Sequence, residues 1–279
     1  MRNWLYGRYV VLTGASGGIG RQLCKLLIEK YGAKVIGVGR NEEKMRSLSD
    51  ELSKNALSLS YSLFDVSDKT AWQTFRQELS EKQIRPILLI NNAGMFPSFQ
   101  KTLNVPSETV EKIMEVNYFS VVYGVEALAD LLQGEGKNKP AIVNVASSAA
   151  LCSVVGASAY SASKAAIKGF TEALQLEEKG KKYVGIVYPG TTATDLFRND
   201  EHVQGSALDM IAMPAEKMAK KIARAILKKK KRAVLGWDAK FMNICAKIAP
   251  VKGLAFIRWV LKTSKTKVYA DVFTGNAKK

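Results

Sequence analysis

One histidine and three cysteines are all that 279 residues contain of the two commonest metal-binding side chains. The single imidazole, His202, rules out a multi-histidine zinc site and leaves a Ser-His-Asp triad one candidate at most. It sits in the polar run 198–202 and reads as a solvated loop residue. Cys24, Cys152 and Cys245 are far apart and odd in number, which gives neither a disulfide framework nor a Cys-x-x-Cys pair. Small apolar side chains in a reducing compartment, and no metal, are expected. Nowhere do about 18 apolar residues run uninterrupted, so no bilayer-spanning helix is expected. The opening Met1–Tyr6 leads straight into Tyr9-Val10-Val11-Leu12, without the apolar core of a signal peptide. The expectation is a cytoplasmic chain whose membrane contact, if it has one, is peripheral.

Acidic residues are also scarce, 25 against 42 Lys and Arg, for a net charge of +17. The imbalance is local. Residues 228–279 hold fourteen basic side chains and two Asp, so twelve of the seventeen charges belong to the last fifth of the chain and not to the fold that precedes it.

What is present is an alternation of short apolar runs and amphipathic segments. Strands are predicted over 8–13, 33–38, 57–64, 86–90, 141–145, 184–188 and 232–235. Helices are predicted over 19–31, 42–52, 69–79, 107–132, 159–178 and 215–227. Asn41 and Ser67 or Asp68 are placed to cap helices. Strands alternating with helices at this spacing predict an α/β fold of the Rossmann type, a doubly wound, parallel, seven-stranded sheet with helices on both faces. Residues 1–236 form one catalytic domain in this reading, and 237–279 a basic, amphipathic, helical tail.

Gly14-Ala15-Ser16-Gly17-Gly18-Ile19-Gly20 joins the first predicted strand to the first helix. Glycines there allow a tight turn and close approach of a bulky anion, and the helix start offers free amides to a pyrophosphate. After the second strand, where an NAD enzyme presents an acid to the ribose hydroxyls, the chain has Gly39-Arg40-Asn41. Arg40, with Arg21 and Ser16 expected at the same edge, suits a 2′-phosphate, which predicts NADP(H) in preference to NAD(H).

Taken in order, these residues resemble the classical short-chain dehydrogenase/reductase family. The resemblance rests on Thr13–Gly20, Asp65, Asn91-Asn92-Ala93-Gly94, then Asn117, Ser147, Tyr160 and Lys164, then Pro189-Gly190 followed by Thr194. It runs from about residue 8 to 195. It implies an oxidoreductase that moves a hydride between a nicotinamide dinucleotide and a carbonyl or alcohol. Asp65 with Val66, and Asn92, Ala93 and Gly94, would border the cofactor. Pro189, Gly190, Thr192 and Thr194 would run beside the nicotinamide. Tyr160 would exchange a proton with the substrate oxygen, Ser147 would hydrogen-bond that oxygen, Lys164 would hold the nicotinamide ribose, and Asn117 would support a water linking Lys164 to solvent. Tyr160 and Lys164 are four apart on a predicted helix and share a face, so the ammonium, with the positive nicotinamide ring of the oxidised complex, is expected to lower the phenol's pKa from its usual ~10.

Apolar residues follow the predicted strand ends: Met95, Phe96 and Phe99, then Leu151, Cys152, Val154 and Val155, then Leu196, Phe197, Leu208, Met210, Ile211 and Met213 in a connection the family uses as a lid. They suggest an apolar substrate, steroid-like, acyl or long-chain, with loop packing as the alternative. The tail interleaves Trp237, Phe241, Phe256 and Trp259 with Lys240, Lys247, Lys252 and Arg258. Attachment to a membrane surface, packing on the core or in a homo-oligomer, and nucleic-acid binding all fit such a pattern; the last is set aside because no reading module accompanies the charge. A catalytically silent, cofactor-binding regulatory protein is the alternative to the enzyme.

Overall fold

A computed structural model describes residues 3–195, 211–263, 269, 272 and 273. Seven strands form one all-parallel sheet: β1 (Tyr9–Thr13), β2 (Lys34–Gly39), β3 (Ser60–Leu63), β4 (Leu88–Asn91), β5 (Ala141–Val145), β6 (Tyr183–Pro189) and, after the two-residue strands β7 (Thr192–Ala193) and β8 (Met213–Pro214), β9 (Arg232–Leu235). The order is β3-β2-β1-β4-β5-β6-β9, and β7 pairs with β8.

Both sheet faces are covered, which explains why the strands read as continuous apolar runs. Along β1 the side chains alternate. Val10 and Leu12 enter a core shared with Leu23 and Leu27 of α1 (Gly18–Glu29) and Met218, Ile222 and Ile226 of α7 (Ala215–Leu227). Val11 enters the opposite core, with Trp72, Phe75 and Leu79 of α3 (Lys69–Glu81) and Val125 and Leu128 of α5 (Ser120–Leu128). The α2 helix (Glu42–Ser53) starts at Asn41, whose side chain accepts the Lys44 N–H, and Asp68 caps α3 in the same way.

Two elements depart from expectation. The third strand is half the predicted length. The long helix from Ser107 is two helices, α4 (Ser107–Met114) and α5, joined by a π-turn over Glu115–Phe119 that carries Asn117. Periodicity cannot reveal such a turn, because one extra residue leaves apolar side chains on both flanks in phase with their own core; π-turns concentrate at functional sites. The α6 helix (Ser158–Glu177) carries Tyr160 and Lys164.

The chain runs outward from β1 to β3 and returns to β4 on the other side of β1. That reversal opens a crevice between the β1 and β4 carboxyl ends. Beyond β9 the tail forms α8 (Trp237–Ile248) and α9 (Pro250–Thr263). The boundary read at 236 falls between β9 and α8, and contacts cross it: Ala239 and Ile257 are buried. Among the described residues no helix is long and apolar enough to cross a membrane.

Candidate active site

The crevice is a cavity of about 500 Å³. At one end lies the β1–α1 turn. Gly14 adopts φ +65, and a Cβ on Gly20 would stand 2.0 Å from the Gly14 carbonyl oxygen, so both positions require glycine. Gly17 differs: its backbone is extended, and a Cβ there would meet nothing within 4 Å. Gly17 is the N-cap of α1, provides no side-chain acceptor, and no acid occupies the first turn. The first amides of α1 therefore face the cavity without a protein partner of that kind, the arrangement that receives a phosphate anion. Asn92 ties this turn to β4: its Nδ2 donates to the Thr13 carbonyl at 3.0 Å, and the Thr13 hydroxyl accepts the Asn92 and Ala93 amides at 2.9 Å each.

Beyond β2, Arg40 pairs with Asp65 at 2.9 Å, and both line the cavity with Ser16, Asn41, Phe64 and Val66. Burial works to raise the Asp65 pKa, but hydrogen bonds from Ser67 and Arg40 outweigh it and hold the carboxyl below its ordinary value. Arg21 corrects an expectation. Its guanidinium lies on Glu51 of α2 at 2.8 Å, beside Lys25, and does not line the cavity. A nearer cation was missed: Lys44, in the first turn of α2, borders the cavity and pairs with Asp195 at 3.2 Å. Its position three residues past the Asn41 cap, on the side facing Arg40, was the available signal.

At the other end Ser147, Tyr160 and Lys164 come together, and Gly94, Pro189, Gly190, Thr192 and Thr194 line the same cavity, with Thr194 standing against Gly18. Ser147 leaves β5 and Tyr160 lies one turn into α6, which places both at the strand ends. Lys164 is buried, its Nζ donating to the Val145 carbonyl at 3.3 Å and standing 5.8 Å from the Tyr160 ring centre. Burial lowers its pKa from 10.5 to about 8. In the protein alone the Tyr160 phenol lies above its ordinary value, and the expected lowering belongs to the complex with the oxidised nicotinamide. Burial raises its pKa, and a hydrogen bond with Ser147 offsets part of that. At this distance the ammonium does not overcome desolvation, so the chain's own groups keep the phenol protonated at neutral pH.

Asn117 does not line the cavity. It is fully buried behind it, with Oδ1 accepting the Met95 N–H at 2.7 Å and Nδ2 donating to the Met95 carbonyl at 3.0 Å and the Ser163 hydroxyl at 2.9 Å. A methyl group on Gly94 would sit 3.1 Å from both Asn117 Oδ1 and Lys164 Nζ. Asn117 thus fixes the strand-four loop and the residue preceding Lys164.

The β6–β7 loop is held from the tail. Asp238 Oδ2 accepts the Thr191 N–H at 2.6 Å, and a Cβ on Gly190 would stand 2.1 Å from the same carboxylate. Of the expected apolar lining, Phe96, Phe99 and Val154 border the cavity, while Met95, Leu151, Cys152, Val155, Ile211 and Met213 do not. Leu196, Phe197, Leu208 and Met210 lie outside the described residues, as does His202. Tyr269, which nothing in the local sequence marks, borders the cavity from the tail.

A family model described as short chain dehydrogenase matches residues 8–205. The chain is 29% identical over 262 residues to a Bos taurus 3-ketodihydrosphingosine reductase, covering 90% of this chain and 78% of that one. It is 32% identical over 244 residues to the Mus musculus dehydrogenase/reductase SDR family member 7B, covering 83% and 74%. Among solved structures, a Burkholderia cenocepacia short chain dehydrogenase in complex with NADP superposes with a TM-score of 0.75 at 24% identity, covering 91% of this chain and 98% of that one.

Proposed function

This chain belongs to the short-chain dehydrogenase/reductase family of oxidoreductases, and from that membership and the geometry of the crevice we propose that it interconverts a carbonyl and an alcohol, with NADP(H) in preference to NAD(H), on an apolar substrate. One observation carries the proposal: Ser147, Tyr160 and Lys164 share a single cavity with the uncapped amino end of α1.

The α1 amides take the pyrophosphate, and Arg40 with Lys44 takes the 2′-phosphate, leaving Asp65 for the adenine side. Gly94, Asn92 and Ala93 on one side and Pro189, Gly190, Thr192 and Thr194 on the other border the nicotinamide, which supplies the hydride to carbon or accepts it. Tyr160, protonated at neutral pH, gives its proton to the substrate oxygen in reduction, and Ser147 donates a hydrogen bond to the same oxygen as charge develops there. Lys164 binds the nicotinamide ribose and passes a proton back to the phenol. Asn117 is a positioning residue, and a water held beside its Met95 clamp would connect Lys164 to solvent.

An apolar substrate is supported by Phe96, Phe99 and Val154, which line the cavity with Tyr160, and by the substrate named for the Bos taurus relative, 3-ketodihydrosphingosine. The tail supplies a membrane face in the same proposal. Nine large apolar side chains of α8 and α9, Trp237, Phe241, Val251 and Trp259 among them, are 40–81% exposed, with Lys240, Lys247, Lys252, Arg258 and Lys262 around them. Rings and aliphatic groups at headgroup depth, and cations worth about 1 kcal/mol each near anionic lipid, fit a peripheral attachment. The test of the chemistry is NADPH oxidation across a panel of apolar ketones, with NADH as the cofactor control and Tyr160→Phe as the site control. Turnover is expected with NADPH and wild-type protein; equal turnover with Tyr160→Phe would refute the assigned acid.

A further inference from the structure

The acid and the tail are joined by a continuous file of rings. Tyr160 meets Phe96 edge-on at 5.2 Å, Phe96 meets Phe99 at 4.9 Å, and Phe99 meets Tyr269 at 5.1 Å. Tyr269 is 3% exposed and packs also on Phe273 and on Leu261 of α9. Phe96, Phe99, Tyr160 and Tyr269 all border the cavity. A second contact fixes the same segment there: a Cβ on Gly156 would stand 2.9 Å from Val272 and 3.4 Å from Phe99, so the bare backbone at 156 admits the tail against the cleft. Burial also raises the Tyr269 phenol pKa, as an apolar setting requires.

Such a wall recognises hydrocarbon and offers little to a polar substituent. Its direction matters as much as its composition. It begins at the ring whose hydroxyl would meet the substrate oxygen and ends at Tyr269, packed on Leu261 of the helix that carries the exposed apolar face. We infer that Tyr269 is a specificity-determining residue that closes the far end of the substrate site, so that a carbonyl compound with a long hydrocarbon chain lies along Phe96, Phe99 and Tyr269 with its head at Tyr160. This rests on the carbonyl-reductase reading of the Tyr160 site and adds to it a contribution from residues well over 100 positions away in sequence. Each methylene laid on the wall raises kcat/KM by about fourfold until the chain passes Tyr269.

The experiment measures kcat/KM with NADPH for a series of straight-chain methyl ketones, from butanone to fatty length, using the full chain. Wild-type protein is expected to show a steep rise with chain length. Tyr269→Ala should lower kcat/KM for the longest ketones about tenfold and leave butanone within about twofold, whereas Tyr269→Phe, which keeps the ring, should reproduce the wild-type series. A parallel loss at every length in Tyr269→Ala would mark a structural role and overturn the assignment, as would a wild-type series without length dependence. Reduction of no ketone at any length, with NADPH binding intact, would overturn the parent reading and this one with it. Butanone turnover with a flat series would overturn this one alone.

Discussion

The two ends of the cavity are built on different plans. The proposed dinucleotide end is backbone where the pyrophosphate would sit, a glycine turn, uncapped helix amides and loops tied to each other by Thr13 and Asn92, with Arg40, Lys44 and Asp65 beside it. The proposed substrate end is side chain: rings contributed by residues 96, 99, 160 and 269, which come from three separate parts of the chain. A backbone site tolerates little change in place and specifies one class of ligand. A side-chain wall can be recut one residue at a time. One fold can therefore keep its cofactor while its substrates diverge.

This contrast predicts how variants should divide. The largest effect belongs to the junction of the two ends. Tyr160→Phe should lower kcat by about 10³-fold, within the roughly 10²–10⁴ that a positioned acid contributes, while NADPH affinity measured by fluorescence titration stays within about twofold. A matching loss of NADPH binding would show that the ends are not separable. Next, Arg40→Ala should lower the ratio of kcat/KM for NADPH over NADH by about ten- to hundredfold, the scale of a charge-assisted hydrogen bond, without altering the chain-length series.

Gly17→Ala sharpens the comparison further. Its extended backbone and open surroundings predict an unchanged melting temperature, yet the methyl intrudes where an anion would approach the α1 amides, so NADPH affinity should fall by about tenfold or more. If the affinity stays and stability falls, Gly17 serves only the turn. A pH profile gives a further effect. Burial lowers the Lys164 pKa to about 8, so kcat/KM for NADPH should decline by about tenfold per unit above that pH as the bound cation is lost, and Lys164→Arg should remove the decline. Folding stability runs the other way. Between about 8 and 10.5 the unfolded chain holds the proton that the folded one has released, so stability should rise with pH across that window. The smallest effect concerns the tail: Trp237→Ala with Trp259→Ala should weaken co-sedimentation with anionic vesicles several-fold and leave butanone reduction unchanged.

The backbone end was legible in sequence because its parts are contiguous. Gly14 to Gly20 are one turn, Asn92 to Gly94 another, and the strand-helix rhythm places both at the same sheet edge. Ser147, Tyr160 and Lys164 were legible for a related reason: one follows a strand directly and the others share a helix face. Lys44 was within reach. Arg21 turns away from the cavity, and a helix face does not record whether a guanidinium meets a ligand or a neighbouring acid such as Glu51. The Asn117 turn was invisible because a π-turn costs no change in residue type. Tyr269 could not be read at all: its place depends on how α8 and α9 pack beyond the sheet, and nothing local records that.

Asp238 adds a constraint of another kind. It opens the tail, yet its carboxylate occupies the space that any side chain at 190 would need. A side chain fits at 190 only after the one at 238 has shrunk. The two positions should therefore vary as a pair, although nearly fifty residues separate them.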